Sequence, residues 1–367
     1  MSLSATSQRL DRVRADLAEL GLHGLLVSHL PNIRYLTGFT GSNGWLALGA
    51  SQAIFITDGR YEQQAEEELA GDAGIDLVVL RERFQEGLAE RIAREFGNAT
   101  LGFEGLHLSY ADWNRLVDKC DGVNWQAKMG LVEKFRAVKD DQEIAAITKA
   151  AEIAAEALQG ALSLVEPGIS EVEIASEIDY RMVRLGASGP AFETIVASGP
   201  RTALPHAATG RRRLCDGDLL LCDFGARWNG YCSDLSRTFV VGKATPRQTE
   251  VYGAVLEAQC AAFAELRAGT TGAEVDAATR QTFENRGLED HFSHSTGHGL
   301  GLEVHEGPRL GRRAEDVLES GMVVTVEPGL YFPGWGGVRI EDDMVVRGED
   351  SDSVIELERD ELLVLPG

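Results

Sequence analysis

The chain has 367 residues, 44% of them hydrophobic and 25% charged, with a formal net charge of −23. That length argues for two domains, the composition is that of an ordinary soluble globular protein, and the acidity excludes nucleic acid as a partner because no excess of cations exists to displace phosphate counterions. No apolar run approaches the ~18–20 residues that cross a membrane. The start, Met1-Ser2-Leu3-Ser4-Ala5, lacks the basic and apolar stretches of a signal peptide, and the five cysteines (Cys120, Cys215, Cys222, Cys232, Cys260) form no CxxC pair. Reduced thiols in a cytoplasmic protein are expected, not a disulfide scaffold or a thiolate zinc site.

An amphipathic helix is expected near residues 6–20, followed by a strand at Gly24–Ser28. Further strands are expected at Trp45–Leu48, Ala53–Thr57, Leu77–Leu80 and Leu101–Phe103, with helices over about 60–70 and 83–96. Alternating strands and helices predict an α/β layer domain over residues 1–131. After the charged stretch Glu133–Asp141 comes an Ala-rich helical pattern over about 140–164, stopping before Glu166-Pro167-Gly168. A second helix, about 170–185, opens with Ser170 and Glu173 in capping-box spacing. From 190 onward the chain is rich in strands and glycines. The fold class is thus α/β (α+β), with a second domain over 132–367. The basic run Arg211-Arg212-Arg213 reads as a solvated turn before a strand, with an anion contact as the alternative.

The second domain contains an internal echo. Gly217 is followed six residues later by Asp223 and then Gly225, after Leu219-Leu220-Leu221; Gly321 is followed six residues later by Glu327 and then Gly329, after Met322-Val323-Val324. Each unit turns through a glycine-containing loop into another strand bearing an acid, Asp234 or Glu341. In the first hairpin, a loop centred on Asn229-Gly230 sets Asp234 opposite Gly225, whereas one centred between Trp228 and Asn229 sets it opposite Asp223. Both registers leave the two carboxylates on one face, because side chains alternate with period two. Like charges so close need a neutralising partner, and a divalent cation is one. In the second hairpin, Glu341 and Arg339 share a face while Val338 and Ile340 point away.

Between the hairpins lies Gly297-His298-Gly299, whose glycines allow close approach to the imidazole. Four carboxylates and one imidazole form an oxygen-rich set suited to Mn²⁺, with Co²⁺, Zn²⁺ or Fe²⁺ as alternatives. That is more carboxylate than one zinc needs, which points to two divalent ions about 3.5–4 Å apart and to hydrolysis.

These residues also carry a resemblance. Asp223-Phe224-Gly225, Gly230-Tyr231-Cys232-Ser233-Asp234, Gly297-His298-Gly299, Val326-Glu327-Pro328-Gly329 and Gly337-Val338-Arg339-Ile340-Glu341-Asp342 resemble the pita-bread metallopeptidases, which include Xaa-Pro dipeptidase (prolidase), aminopeptidase P and methionine aminopeptidase. Pro31–Phe39 and Thr57-Asp58-Gly59-Arg60-Tyr61 resemble the creatinase/prolidase N-terminal domain. The resemblance implies that Asp223 chelates one metal and that Asp234 and Glu341 bridge both. It implies that His298 and Glu327 hold the other, with Glu327 also helping to move the proton of the attacking water. His206 and His305 match histidines that contact the substrate and the developing oxyanion, and Arg339 matches an arginine that supports ligands and substrate. For Arg339, simple charge balance of Glu341 is the competing account. Arg309 is a candidate for a substrate carboxylate, His291 and His294 read as packing or surface groups, and Cys222 and Cys232 as core residues facing away from the aspartates.

The resemblance implies a proline-containing peptide substrate and a homodimer, with the stretch Phe39 to Trp45 either reaching across to the partner or simply turning as a loop. Methionine aminopeptidases generally lack such a first domain, creatinase works without metal, and a non-catalytic binding protein would not retain all five ligands. Dipeptidase and aminopeptidase P activities both stay open at this point.

Overall fold

A computed structural model describes residues 5–70 and 74–367; residues 1–4, part of the N-terminal stretch considered above, lie outside it. The chain forms two compact units, Met1–Arg136 and Ala137–Gly367. Composition alone put the division at 131, but the short helix Glu133–Ala137 belongs mostly to the first unit. There Arg136 Nη1 donates to Asn32 Oδ1 at 2.7 Å and the Tyr35 hydroxyl donates to the Phe135 carbonyl at 3.3 Å.

In the first unit, α1 (Ala5–Glu19), β1 (Gly24–Val27), α2 (Leu30–Thr37), β2 (Trp45–Gly49), β3 (Ala53–Asp58), α3 (Glu62–Leu69), β4 (Ile75–Leu80), α4 (Phe84–Phe96), β5 (Thr100–Glu104), α5 (Tyr110–Lys119), β6 (Asn124–Lys128) and α6 (Glu133–Ala137) follow in order. The strands form one mixed sheet, β4-β3-β2-β1-β5-β6. Helix α2 is invisible to periodicity because five of its eight residues are buried, on several sides; Pro31 opens it and Gly38, at φ 78°, ends it. Phe39 and Trp45 are both buried, so the stretch between them is a loop whose apolar ends pack within their own unit.

The second unit opens with α7 (Asp141–Leu162) and α8 (Glu171–Arg184), each starting with a capping box, Asp140 with Glu143 and Ser170 with Glu173. Then come β7 (Gly189–Pro190), β8 (Ile195–Ser198), β9 (Leu219–Phe224), β10 (Ala226–Trp228), β11 (Tyr231–Cys232), β12 (Leu235–Val241), α9 (Pro246–Glu265), α10 (Gly272–Asn285), β13 (Gly297–Gly299), β14 (Glu306–Leu310), β15 (Val323–Val326), β16 (Gly329–Phe332), β17 (Gly336–Arg339) and β18 (Asp342–Val346). Ile147, Ala151 and Leu158 of α7 and Ile174 and Ile178 of α8 pack on Leu220, Cys222 and Phe224 of β9. Val251 and Val255 of α9 pack on Leu330, Val338 and Ile340. Apolar residues alternating along each hairpin are thus drawn to the helices, and the acids between them are turned the other way.

The internal echo is a structural repeat. β9 pairs with β12 and β10 with β11 in one continuous register centred on Asn229-Gly230, which have φ values of 47° and 80° and form the tight turn. The second hairpin likewise has an outer ladder, β15 with β18, and an inner one, β16 with β17, again in one register. A bridge between Ser236 and Glu341 joins the two hairpins.

Candidate metal centre

Within the first hairpin, Asp223 pairs with Ser236, and the same register sets Asp234 opposite Gly225. Of the two registers open from sequence, this is the one centred on Asn229-Gly230. Asp223 and Asp234 lie on one face. Gly225 is obligatory there, because a Cβ on it would run into the Ser233 carbonyl. In the second hairpin, Val326 faces Asp342 and Gly329 faces Arg339, so Glu327 and Glu341 sit opposite each other in the gap between the ladders.

His298 lies on β13 between β14 and β15. Its glycine frame serves close strand packing rather than ligand access, since a Cβ on Gly297 would strike the Thr325 carbonyl and one on Gly299 the Gly307 carbonyl. His298 Nδ1 lies 3.0 Å from the Gly299 carbonyl, which leaves Nε2 3.7 Å from Asp234 Oδ2 and 3.7 Å from Glu327 Oε1. Ligand atoms of Asp234, His298 and Glu341 all lie within 4.8 Å of one another.

The electrostatics suit a cation. Burial, reinforced by Glu341 and Asp223, pushes the Asp234 carboxyl well above its ordinary range, and burial with Glu341 does the same to Glu327. Burial and Asp223 push Glu341 up to about 8. Burial pulls His298 down to about 4, so its imidazole is neutral and able to ligate at neutral pH. Asp223 Oδ2 accepts from Arg339 Nη2 at 2.6 Å, yet its buried Oδ1 has no hydrogen-bond partner among the described residues. A crowd of buried carboxyls with an unpaired oxygen is costly without a counter-charge, and its hard oxygen donors with one imidazole fit divalent first-row ions.

Arg339 is 3% exposed and spans several groups. Besides Asp223, it donates from Nε to Ser236 Oγ at 2.9 Å, and from Nη1 to the Pro205 carbonyl and the Tyr331 hydroxyl, both at 3.0 Å. Its direct partner is Asp223, not the Glu341 that charge balance along the strand had suggested. His206 and His305 are exposed and lie near enough to act electrostatically on the Asp223 carboxyl. The His305 ring lies 4.4 Å from that of His298, and the partial desolvation this packing causes lowers its pKa although the residue keeps one exposed side. Arg309 pairs with His298 across the β13–β14 ladder.

Periodicity and spacing missed several groups. His294, read as packing or surface, has Nε2 2.9 Å from the Tyr331 hydroxyl and Nδ1 2.8 Å from the Ser295 carbonyl. Arg339, Tyr331 and His294 therefore form one chain of hydrogen bonds beside Glu327, and burial takes His294 down to about 3. Ser236 Oγ donates to Glu341 Oε2 at 2.7 Å, and Asp343 Oδ2 accepts from the Asp234 amide at 3.0 Å. The four-residue spacing of His294 before His298 was the only sequence signal available. His291 does pack, against Phe332, and Cys222 and Cys232 are buried, with Cys222 pushed by burial up to about 12. In the basic run Arg211 and Arg213 are exposed, as a solvated turn requires, while the half-buried Arg212 forms a double ion pair with Asp218.

Residues 145–348 match Metallopeptidase family M24, and residues 9–138 match the Creatinase/Prolidase N-terminal domain. An uncharacterised peptidase of Bacillus subtilis is 40% identical over 97% of this chain and 100% of its own length. The solved structure of an Xaa-Pro dipeptidase from Bacillus anthracis superposes with a TM-score of 0.94 at 40% identity, covering 98% of this chain and 100% of that one. That of an X-Pro aminopeptidase from Thermotoga maritima gives a TM-score of 0.89 at 33% identity, covering 97% and 99%. With its hairpin acids and glycine-framed histidine carried on that fold, the chain belongs to metallopeptidase family M24, as an exopeptidase-type hydrolase with a creatinase/prolidase N-terminal domain.

Proposed function

We propose that this protein is an Xaa-Pro dipeptidase, hydrolysing the peptide bond before proline with two divalent ions held by Asp223, Asp234, His298, Glu327 and Glu341. The observation that carries the reading is the convergence of two split hairpins and β13 on one spot, with ligand atoms of Asp234, His298 and Glu341 within 4.8 Å of one another. The oxygen-rich set favours Mn²⁺. When bound, such ions supply Lewis acidity and lower the pKa of water.

The chain's own residues supply the remaining steps. Glu327 accepts the proton of the attacking water at a carboxylate oxygen and delivers it to the leaving imino nitrogen. His305 and His206 donate to the oxyanion that develops on the scissile carbonyl. Arg339 holds Asp223 in its orientation through the 2.6 Å contact, and through the Pro205 carbonyl also holds the segment next to His206. Arg309, opposite His298 in the β13–β14 ladder, is the residue we assign to the carboxylate of a dipeptide. A cytoplasmic location fits five free thiols, and a homodimer fits the family resemblance.

The second reading is aminopeptidase P activity, favoured by the likeness to the Thermotoga maritima X-Pro aminopeptidase. One assay separates the two. Metal-free protein is reloaded with Mn²⁺, Co²⁺ or Zn²⁺ and given an Xaa-Pro dipeptide and a longer Xaa-Pro-Yaa peptide. Cleavage of the dipeptide alone supports the proposal, and cleavage of the longer peptide supports the second reading. No cleavage with any metal overturns both.

A further inference from the structure

Glu171 takes no part in the chemistry above, yet it is fully buried at the start of α8, 0% exposed. Its carboxylate is aimed at one loop. Oε1 accepts from the Ser198 amide and from Ser198 Oγ, both at 2.8 Å, and Oε2 accepts from the Gly210 amide at 3.0 Å. Arg201 Nε lies 3.1 Å from each oxygen, and Arg201 also donates from Nη2 to the Ala208 carbonyl. Ser198 and Gly210 are the two necks of the excursion that carries His206. One carboxylate therefore joins both necks and, through Arg201, grips the loop's interior.

The rest of the loop is tied toward the centre by two bonds, each between a backbone group and a side chain. The Gly337 amide donates to Thr202 Oγ1 at 2.7 Å, and Arg339 Nη1 donates to the Pro205 carbonyl. His206 itself is exposed, so its place beside Asp223 depends on how the loop is framed. An ion pair with one partner buried and the other half-exposed adds little net stability, because desolvation of the carboxylate offsets an attraction that solvent partly screens. What this one supplies is geometry, since a carboxylate is acceptor on both oxygens and can take every donor converging here.

We propose that Glu171 is a positioning residue that clamps the 199–210 loop and so fixes His206 over the Asp223 side of the centre. The catalytic consequence rests on the reading of His206 given above. Glu171→Gln keeps the shape but turns a donor NH₂ toward at least one of the amides. In this variant amide hydrogen exchange should speed up by about ten-fold or more at whichever of Ser198 and Gly210 faces the NH₂, because that amide loses its acceptor, and by less at the other, whose acceptor is now uncharged. Bound Mn²⁺ per chain should stay as in the parent protein. The kcat on an Xaa-Pro dipeptide should fall about ten- to hundred-fold, with KM changed far less. In a His206→Ala background, Glu171→Gln should cost nothing further in kcat, the mark of action through that histidine.

Arg201→Gln, at a half-exposed side chain, gives the same pattern in milder form if the first variant fails to fold. Unchanged amide exchange, loss of bound metal, or kcat losses that multiply in the double variant would each overturn the proposal. If the parent protein cleaves no Xaa-Pro peptide, the functional reading falls, while the exchange measurement still decides whether Glu171 clamps the loop.

Discussion

Ser236 and Glu341 hold the two hairpins together at the centre: the Glu341 amide donates to the Ser236 carbonyl at 3.1 Å, and Ser236 Oγ donates back to Glu341 Oε2 at 2.7 Å. The same hydroxyl receives Arg339 Nε at 2.9 Å. A side chain with no charge thus orients one proposed ligand and the arginine that orients another.

Ser236→Ala should leave the fold intact and weaken Mn²⁺ binding by about ten-fold, the usual scale for losing a group that orients a ligand. Calorimetric titration of the metal-free protein measures it. Binding equal to that of the parent would remove Ser236 from the centre.

The metal-free protein should lose stability as pH rises. Burial and Asp223 raise Glu341 from 4.5 in the unfolded chain to about 8 in the folded one. A carboxyl that holds its proton more tightly when folded stabilises fully below its unfolded value, and that contribution is lost as pH climbs to the folded value. Asp234 and Glu327 are raised, first by burial, and act in the same direction. His294 and His298, lowered by burial to about 3 and about 4, cost stability as pH falls below 6.5 and act against them; the three carboxyls outweigh the two imidazoles. Thermal unfolding without metal should therefore give a higher Tm at pH 5 than at pH 8, the difference in unfolding free energy being on the order of a few kcal/mol. Added Mn²⁺ should restore more at pH 8 than at pH 5 and release protons on binding. A metal-free Tm that rises across that window would refute the electrostatic account.

Asp234 is raised chiefly by burial and then by Glu341 and Asp223. Asp234→Asn removes an acid that the fold must keep protonated, so the metal-free variant at pH 8 should melt a few degrees higher than the parent. It should also lose at least one bound metal ion and all activity. Metal analysis, melting curves and a peptide assay on one preparation test the three together; full activity would rule out Asp234 as a ligand.

Gly297→Ala should be severely destabilising, by at least ~3 kcal/mol, because the new Cβ meets the Thr325 backbone and neither strand can move without breaking its ladder. Urea unfolding of the metal-free variant measures this without reference to catalysis. A change under ~0.5 kcal/mol would show that the strands can separate there.

Much of the centre is legible in the sequence. Strand alternation put Asp223 with Asp234, and Arg339 with Glu341, on shared faces; Asn229-Gly230 marked the turn; Ser170 with Glu173 has the capping chemistry seen at α8. These are local features, decided by bonds and periods within a few residues. Helix α2 was illegible because burial on several sides erases the amphipathic period. His294 and Glu171 were illegible for a different reason. An isolated histidine or glutamate has no periodic signature, and each takes its meaning from partners far along the chain, Tyr331 and Arg339 in one case, Ser198, Arg201 and Gly210 in the other.

The sequence by itself therefore determined the two-domain α/β class, the two acid-bearing hairpins and the glycine-framed histidine, because short-range sterics and alternation leave few other arrangements. Which register the first hairpin takes, which acid Arg339 grips, and which uncharged or remote residues hold the centre in place were decided only by tertiary structure. Burial there makes every donor and acceptor find a partner regardless of its distance along the chain.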